Sequence, residues 1–233
     1  MSNKIRFRGC AAAAIMCAMV LCIPASANTS VWILSNQAEA DIVTGNGQIT
    51  ITLIDKVINP TAVTSNLSAF IFTTSNAPTS ESILSGTGYE RTITGTGAGQ
   101  YTESVNLVAA GWAISLVSAT TTLDVLAAGG AGPAHTILGA PDAGNAYSNA
   151  NGSLTSGPHN PFLDGSATFI LSAAGVTSAT TITASTFQFG TADGSNRFAG
   201  TLVATPEPAT YFTLCGGLLL MLGTRRAAQK RHS

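Results

Sequence analysis

Residues able to carry acid–base, nucleophilic or metal chemistry are few in this 233-residue sequence. Two histidines, His135 and His159, lie between residues 28 and 205, and neither belongs to a G-x-S-x-G, H-E-x-x-H or S-x-x-K pattern. A hydrolase triad needs a nucleophile beside a base that a carboxylate orients. Because no local motif indicates that arrangement, the sequence predicts no catalytic residue, and we expect a protein that is not an enzyme.

Paired carboxylates are a second possible source of chemistry, since glycosidases use two of them. The acidic residues considered for this role are Asp55, Glu81, Glu90, Glu103, Asp124, Asp142, Asp164 and Asp193. They are scattered along the chain, and several adjoin glycine in turn-like dipeptides. The aromatic residues with polar tips that could form a platform for a sugar are Trp32, Tyr89, Tyr101, Trp112 and Tyr147. A secreted glycan-active enzyme or carbohydrate-binding module is therefore the alternative function.

Calcium is the metal that the sequence suits best. Residues 139–165 hold five glycines, four asparagines and three prolines, which predicts a long irregular loop. Asp142, Asn145 and Asp164 lie in this loop as weak candidate ligands, because calcium prefers oxygen ligands. The D-x-[DN]-x-[DN]-G spacing is absent, and Asn and Asp are also common turn formers. We therefore predict no cofactor.

The distribution of charge and cysteine excludes several classes of protein. Only 9% of the residues are charged, and seven of the ten basic residues lie before position 10 or after position 224. Residues 28–205 hold ten carboxylates against three cations, which excludes a basic surface for nucleic acid. All four cysteines lie outside residues 28–205, so this segment has no disulfide framework and no cysteine-ligated metal.

The N-terminus has the pattern of a secretory signal peptide. Three basic residues within the first eight precede an apolar run at 11–23, which is too short to span a bilayer. Ala25 and Ala27 then form the A-x-A pattern that signal peptidase recognises. We predict that residues 1–27 are removed and that the mature chain begins at Asn28.

The C-terminus has three consecutive parts, namely a Pro-Glu-Pro tripeptide, an apolar stretch and a basic end. The apolar stretch covers residues 209–223, which is near the lower limit for a transmembrane helix. The cations that follow it are Arg225, Arg226, Lys230 and Arg231. Such a basic cluster should stop transfer and stay on the cytoplasmic side.

This arrangement of residues 205–233 resembles the PEP-CTERM sorting signal of exported bacterial proteins. In that family a membrane-embedded protease or transpeptidase, exosortase, recognises the motif and removes the tail. The resemblance therefore implies that Pro206, Glu207 and Pro208 are the recognition residues. The two prolines disfavour helix and keep this segment extended, as a protease cleft requires.

The middle segment, residues 28–204, is predicted to be one all-β domain. Its short β-branched and aromatic runs are separated by Gly, Asn, Ser and Pro, which favours an antiparallel, jelly-roll-like β-sandwich. The predicted strands are 31–35, 49–53, 67–73, 88–94, 101–108, 111–117, 120–126, 135–138, 167–172, 181–190 and 198–204. A short helix at 38–42 or 123–128 is a further possibility.

The resemblance also implies a function and a location. Proteins with this tail are associated with exopolysaccharide and biofilm matrix, so we expect a non-enzymatic surface or matrix protein. The precursor would sit transiently in the inner membrane, and the released domain would be at the cell surface or outside the cell. Exosortase and exopolysaccharide are then the expected partners.

Overall fold

A computed structural model describes residues 27–126, 133–155 and 158–203 of the chain. Ala27, at the predicted signal-peptidase site, is the first residue described, and Ala25 lies outside. The sorting motif Pro206, Glu207 and Pro208 also lies outside the described residues, as do the apolar stretch after it and the terminal cations Arg225, Arg226, Lys230 and Arg231. The structure therefore concerns the domain between the two predicted processing segments.

The described residues form sixteen β-strands, one single-turn α-helix and one 3₁₀ turn. The strands are β1 Asn28–Leu34, β2 Ala38–Gly45, β3 Gln48–Asp55, β4 Leu67–Thr74, β5 Ser80–Gly88, β6 Glu90–Ile93, β7 Tyr101–Glu103, β8 Val108–Ala109, β9 Ala113–Val117, β10 Thr120–Asp124, β11 Ile137–Leu138, β12 Phe162–Asp164, β13 Ser166–Ala174, β14 Ile182–Phe189, β15 Arg197–Ala199 and β16 Thr201–Val203. The helix α1 is Gly152–Thr155, and the 3₁₀ turn is Val63–Ser65. The prediction of an all-β domain is confirmed.

The strands belong to two sheets. Within the described residues, the first sheet has seven strands in the order β16-β1-β2-β3-β13-β5-β8. The second has nine strands, with the path β15-β14-β4-β11-β12-β6-β7 and with β10 joining β4 to β9. The chain crosses between the sheets repeatedly, so strands distant in sequence become neighbours.

One pair departs from the predicted antiparallel arrangement. Strands β11 and β12 run parallel, with Ile137 opposite Leu163 and Leu138 opposite Asp164. A parallel pair needs a long crossover between its strands. The segment between Leu138 and Phe162 supplies it, so the predicted loop at 139–165 contains α1 and β12 and makes the second sheet mixed.

The larger of two hydrophobic clusters among the described residues lies between the two sheets, and a smaller one surrounds Phe162 and Tyr147. Strand β3 alternates buried and half-buried residues, and its Ile49, Ile51 and Leu53 point inward. On the other sheet, Phe70 and Phe187 face the same core, with ring centroids 5.1 Å apart. This period-2 burial is what a half-buried strand requires, and the resulting rigid frame positions the loops at its ends.

Residues 38–42, a possible helix from the sequence, are the start of strand β2, so that alternative is wrong. Ala38, Ala40 and Ile42 are fully buried, while Glu39 and Asp41 alternate with them. Alanine favours helix intrinsically, which is why a helix was possible here. The pairing of β2 with both β1 and β3 overrides this local preference. None of the helices in the part of the chain that the structure describes is long and apolar enough to cross a membrane.

Candidate functional site

An open cleft lies at one end of the two sheets. Its volume is about 630 Å³, within the range of roughly 300–1,000 Å³ that is usual for ligand pockets. Three segments build it: the turn 35–37 between β1 and β2, the connection 56–65 between β3 and β4, and residues 189–198 from β14 to β15. Loops at the end of a rigid sheet frame commonly carry function.

Apolar side chains are exposed in this cleft. Phe198 on β15 is 46% exposed and Ile58 is 69% exposed, although both are large hydrophobic residues. The Phe198 ring packs edge-on against Phe189, with ring centroids 6.2 Å apart. This contact fixes the orientation of the exposed ring.

Polar side chains without partners line the rest of the cleft. Five of them make no side-chain hydrogen bond to any described residue, namely Asn36, Gln37, Thr64, Ser65 and Asn196. Other amides are committed to the fold: Asn59, in the same 56–65 connection, donates to the Ser148 hydroxyl, and Asn160 donates to the Leu154 carbonyl at 2.9 Å. The cleft therefore presents donors and acceptors that are free to bind a ligand.

Main-chain hydrogen bonds tie the three segments together. The Lys56 N–H donates to the Gln37 carbonyl at 2.9 Å, and the Gly190 N–H donates to the Asn66 carbonyl at 2.9 Å. Gly190 has φ +89°, and a Cβ there would approach the Thr64 Cα to 3.3 Å, so glycine is required at this close crossing. The loops thus form one connected wall.

A charged brace holds the last of these segments. Arg197 donates from Nε to the Gln188 Oε1 at 2.6 Å and from Nη2 to the Asp193 carboxylate at 2.8 Å. The Gln188 amide is fully buried and donates to the Ala192 carbonyl at 3.3 Å. The loop that carries Asn196 is therefore supported from both sides.

The cleft carries almost no net charge. Lys56 is the one charged residue among the described residues lining it, and its Nζ lies 2.5 Å from the Glu39 carboxylate. Asp41 lies beside this pair along β2, and burial, followed by the charge of Glu39, raises the pKa of its carboxyl group. A ligand entering the cleft therefore meets dipoles and apolar surface more than it meets charge.

A second polar cluster lies at the opposite edge of the mixed sheet, around Arg91. The buried Arg91 guanidinium donates from Nη2 to Glu103 at 2.5 Å and to Asp164 at 2.8 Å, and from Nη1 to the Tyr147 hydroxyl at 2.6 Å. Its charge also lies 4.7 Å from the centre of the Tyr101 ring, a cation–π contact. One side chain thus joins strands β6, β7 and β12.

The Arg91 cluster brings together two of the carboxylates that the sequence left scattered. Glu103 and Asp164 bind the same nitrogen atom, so their oxygens lie close to one another. Burial raises the pKa of Asp164 against the opposing charge of Arg91, and burial raises the pKa of Tyr147 to about 12. Two close carboxylates in different environments are the arrangement that acid–base pairs use, although here both are held by the arginine.

His135 has a fixed structural position. Its Nε2 lies 2.8 Å from the Glu90 carboxylate, and its Nδ1 lies 3.1 Å from the Ala110 carbonyl oxygen. Its own carbonyl accepts a hydrogen bond from the Trp112 indole at 2.9 Å. Both ring nitrogens are therefore engaged within the fold.

The three weak calcium candidates are engaged by protein groups. Asp142 accepts hydrogen bonds from the N–H groups of Gly144 and Ala146 and from the Ser148 hydroxyl at 2.6 Å. Asn145 accepts from the Tyr101 hydroxyl, and Asp164 binds Arg91. The described residues contain no group of three or more His, Cys, Asp or Glu side chains placed to hold a metal ion.

The aromatic residues singled out from the sequence do not line the cleft. Trp32 and Trp112 are 7% exposed and belong to the core, and Tyr147 is buried beside Arg91. Tyr101 packs edge-on against Tyr147, and Tyr89 is exposed elsewhere on the surface.

The residues of the cleft were missed by the sequence analysis because three distant segments contribute them. One signal could have indicated them. Ile58 is a large apolar residue among turn-forming, polar neighbours and outside every predicted strand, yet it is 69% exposed. Exposed apolar residues in such a setting are typical of binding surfaces.

Comparison with known proteins adds no assignment, because no family model, curated protein or solved structure matches this chain. The functional argument therefore depends on the residues of the chain itself.

Proposed function

We propose that this protein is an exported, non-enzymatic β-domain of the bacterial cell surface or extracellular matrix. It would be made as an inner-membrane precursor, processed by exosortase at Pro206, Glu207 and Pro208, and associated with exopolysaccharide. The observation that carries the proposal is the match between sequence signals and strand boundaries. Among the described residues, the first strand begins at Asn28, directly after the predicted signal peptide, and the last ends at Val203, shortly before the predicted sorting motif.

The pairing of the terminal strands supports this division of the chain. Strand β16 lies beside β1, with Val31 opposite Val203 and Ile33 opposite Thr201. Both strands at this edge of the sheet lie inside the two predicted cleavage positions, so removal of the two ends would leave these pairings intact. The jelly-roll-like sandwich belongs to the same proposal, because the chain crosses repeatedly between two sheets that share the larger hydrophobic cluster.

Replacement of Pro206, Glu207 and Pro208 by alanine tests the sorting step. The apolar stretch and basic end remain in this variant, so membrane insertion should be preserved while processing stops. Immunoblots of membrane and medium fractions should then show a larger precursor that accumulates in the inner membrane, as should the unaltered chain in a strain without exosortase.

A second variant provides the matched control for that experiment. Replacement of the four terminal cations, which are Arg225, Arg226, Lys230 and Arg231, should weaken orientation and retention while leaving the motif in place. Release of the triple-alanine variant at the unaltered rate would show that the motif is incidental and would overturn the proposal.

A glycan-active enzyme is the second candidate function, and the carboxylate pair around Arg91 favours it. Asp164, with its raised pKa, would be the acid, and the more exposed Glu103 would be the base or nucleophile. Reducing sugar released from the producer's own polysaccharide, and abolished in Asp164→Asn and Glu103→Gln, would establish this activity and displace the non-enzymatic proposal.

A further inference from the structure

We propose that the cleft formed by residues 35–37, 56–65 and 189–198 is a binding site for a neutral polysaccharide chain. The inference rests on the proposed extracellular function and names the ligand class and the residues that would contact it. Phe198 would receive one face of a sugar ring, and the unpartnered amides of Asn36 and Gln37 would bind its hydroxyl groups.

The apolar surface suits a sugar because a pyranose ring has two chemically different parts. Its faces carry C–H groups, which pack on an aromatic ring, and its edge carries hydroxyl groups, which need hydrogen-bond partners. The exposed rings and side chains of Phe198 and Ile58 supply the first kind of contact. Edge-on packing against Phe189 holds the Phe198 ring in position before a ligand arrives, which reduces the entropic cost of binding.

The polar lining suits the hydroxyl edge. Each primary amide supplies two donor hydrogens and one carbonyl oxygen, and each hydroxyl supplies a donor and an acceptor. Asn36, Gln37 and Asn196 approach the cleft from two separate loops, while Thr64 and Ser65 lie on the third. Donors and acceptors on three walls can satisfy hydroxyl groups that point in different directions.

The charge of the cleft selects for a neutral chain. Glu39 neutralises Lys56 at 2.5 Å, so a uronate or sulfate group gains no free cation in the cleft. An anionic sugar would lose hydration without a full counter-charge, which is unfavourable. A neutral hexose polymer meets no such cost.

Isothermal titration calorimetry on the full chain, purified in detergent, tests the site with defined probes. The neutral probes are hexasaccharides of β-1,4-glucan, β-1,3-glucan, α-1,4-glucan and mannan, and the acidic probe is a hexauronate. We expect at least one neutral probe to bind and to bind more tightly than the hexauronate. Weak sites have dissociation constants of about 1 mM, so each probe is tested up to about 5 mM. The proposal would be overturned if none of the four neutral probes bound at that concentration. It would also be overturned if the hexauronate bound more tightly than they do.

Two variants with matched controls locate the binding. Phe198→Ala should weaken it at least about 10-fold, whereas Tyr89→Ala, which removes another half-exposed aromatic ring outside the cleft, should leave it unchanged. Asn36→Ala should weaken binding while Asn46→Ala, at the tip of the β2–β3 turn, should not. Equal effects in a variant and its control would overturn the assignment to this cleft.

Binding and processing are measured separately, so this inference and the proposed function can fail independently. Urea unfolding of each variant checks that its fold is intact, so a loss of affinity is attributable to the cleft. Export and processing are measured by the size and location of the chain and require no sugar. A chain that is processed at the sorting motif but binds no neutral probe would overturn the cleft assignment alone, and a chain that binds but is not processed would overturn the sorting proposal alone.

Discussion

The buried carboxyl group of Asp55 should make the stability of the domain fall as pH rises. Asp55 ends strand β3 and is only 4% exposed. Its Oδ1 accepts a hydrogen bond from the Val57 N–H at 2.9 Å, and its Oδ2 accepts one from the Leu67 N–H at 3.1 Å. Among the described residues no cation pairs with it. Burial raises its pKa from 3.8 to about 8, against the smaller effect of these two donors.

The sign follows from the protons bound in each state. Between pH 4 and pH 8 the folded chain keeps the Asp55 proton while the unfolded chain has lost it, so rising pH favours unfolding. Each pH unit in this window corresponds to about 1.4 kcal/mol. The contribution of Asp55 to the free energy of unfolding is fully present below the unfolded pKa of 3.8 and is lost by the folded pKa of about 8. Over this whole window the loss is at most on the order of 5 kcal/mol.

Asp55→Asn isolates this contribution from the other carboxylates. The amide keeps one oxygen acceptor but turns an NH₂ group toward the second donor, so we expect a loss of about 1 kcal/mol at pH 5. Because asparagine does not titrate, the stability of this variant should change less between pH 5 and pH 8. The two profiles should therefore cross, with the variant the more stable chain at pH 8.

Urea unfolding at pH 5, 6, 7 and 8 measures the effect. The chain has two tryptophans, Trp32 and Trp112, and both lie in the core, so their fluorescence reports loss of packing. Parallel pH profiles for the original chain and for Asp55→Asn would refute the reasoning. That result would mean that the two backbone donors hold the carboxylate in its charged form despite burial.

Three further substitutions test the packing and the Arg91 cluster by urea unfolding. Gly139→Ala would place a Cβ 1.8 Å from a carbonyl oxygen of the β3–β4 connection, so we expect the free energy of unfolding to fall by at least about 3 kcal/mol. Gly45→Ala is the control, because its Cβ meets open space, and equal effects of the two variants would contradict the close approach. Arg91→Leu should lower the free energy of unfolding by about 3 kcal/mol at pH 7, because the Asp164 carboxylate loses its cation. Part of this stability should return at pH 4, where the carboxyl group takes up a proton. If none returns, the unpaired charge is not the cause. Phe187→Ala should cost about 3–5 kcal/mol by leaving a cavity between the sheets, and a loss below 1 kcal/mol would mean that the core collapses around it.

The elements that the sequence predicted well are those whose own residues carry the pattern. Strand β3 alternates isoleucine and leucine with threonine, and every inward position is buried. Strand β13 has the same character, with Phe169 and Leu171 fully buried. A strand of this kind is indicated by its local sequence because one face must meet the core.

Strand β5 was missed because little in its sequence favours a strand. It contains three serines and two glycines, and its pairing with β13 shifts register near Leu84. A Cβ on Gly86 would lie 2.8 Å from the Phe169 ring, so the small residue is required by a side chain from a distant strand. Such requirements arise from tertiary packing, which local propensity does not record.

The cleft could not be predicted for a related reason. Its polar residues are ordinary turn formers in sequence, and the sequence does not distinguish an amide that closes a turn from one left free. Asn59 and Asn196 both have positive φ. The Asn59 side chain donates to the Ser148 hydroxyl and accepts from the Asn149 N–H, whereas the Asn196 side chain makes no hydrogen bond to another described residue. The difference depends on which loop lies opposite.

The position of strand β13 limits the order in which the chain could fold during the export that we propose. It lies between β3 and β5, with Phe169 opposite Ile51 on one side and Gly86 on the other, although β3 precedes it by more than a hundred residues. In that proposed export the N-terminus would cross the membrane first, so the β1–β3 unit would emerge long before β13. Until then, one edge of β3 has unpaired N–H and C=O groups beside an uncovered apolar face, a state prone to aggregate. We therefore expect the edge of β3 to stay exposed until β13 is available, and this sheet to be complete only when β16 reaches β1.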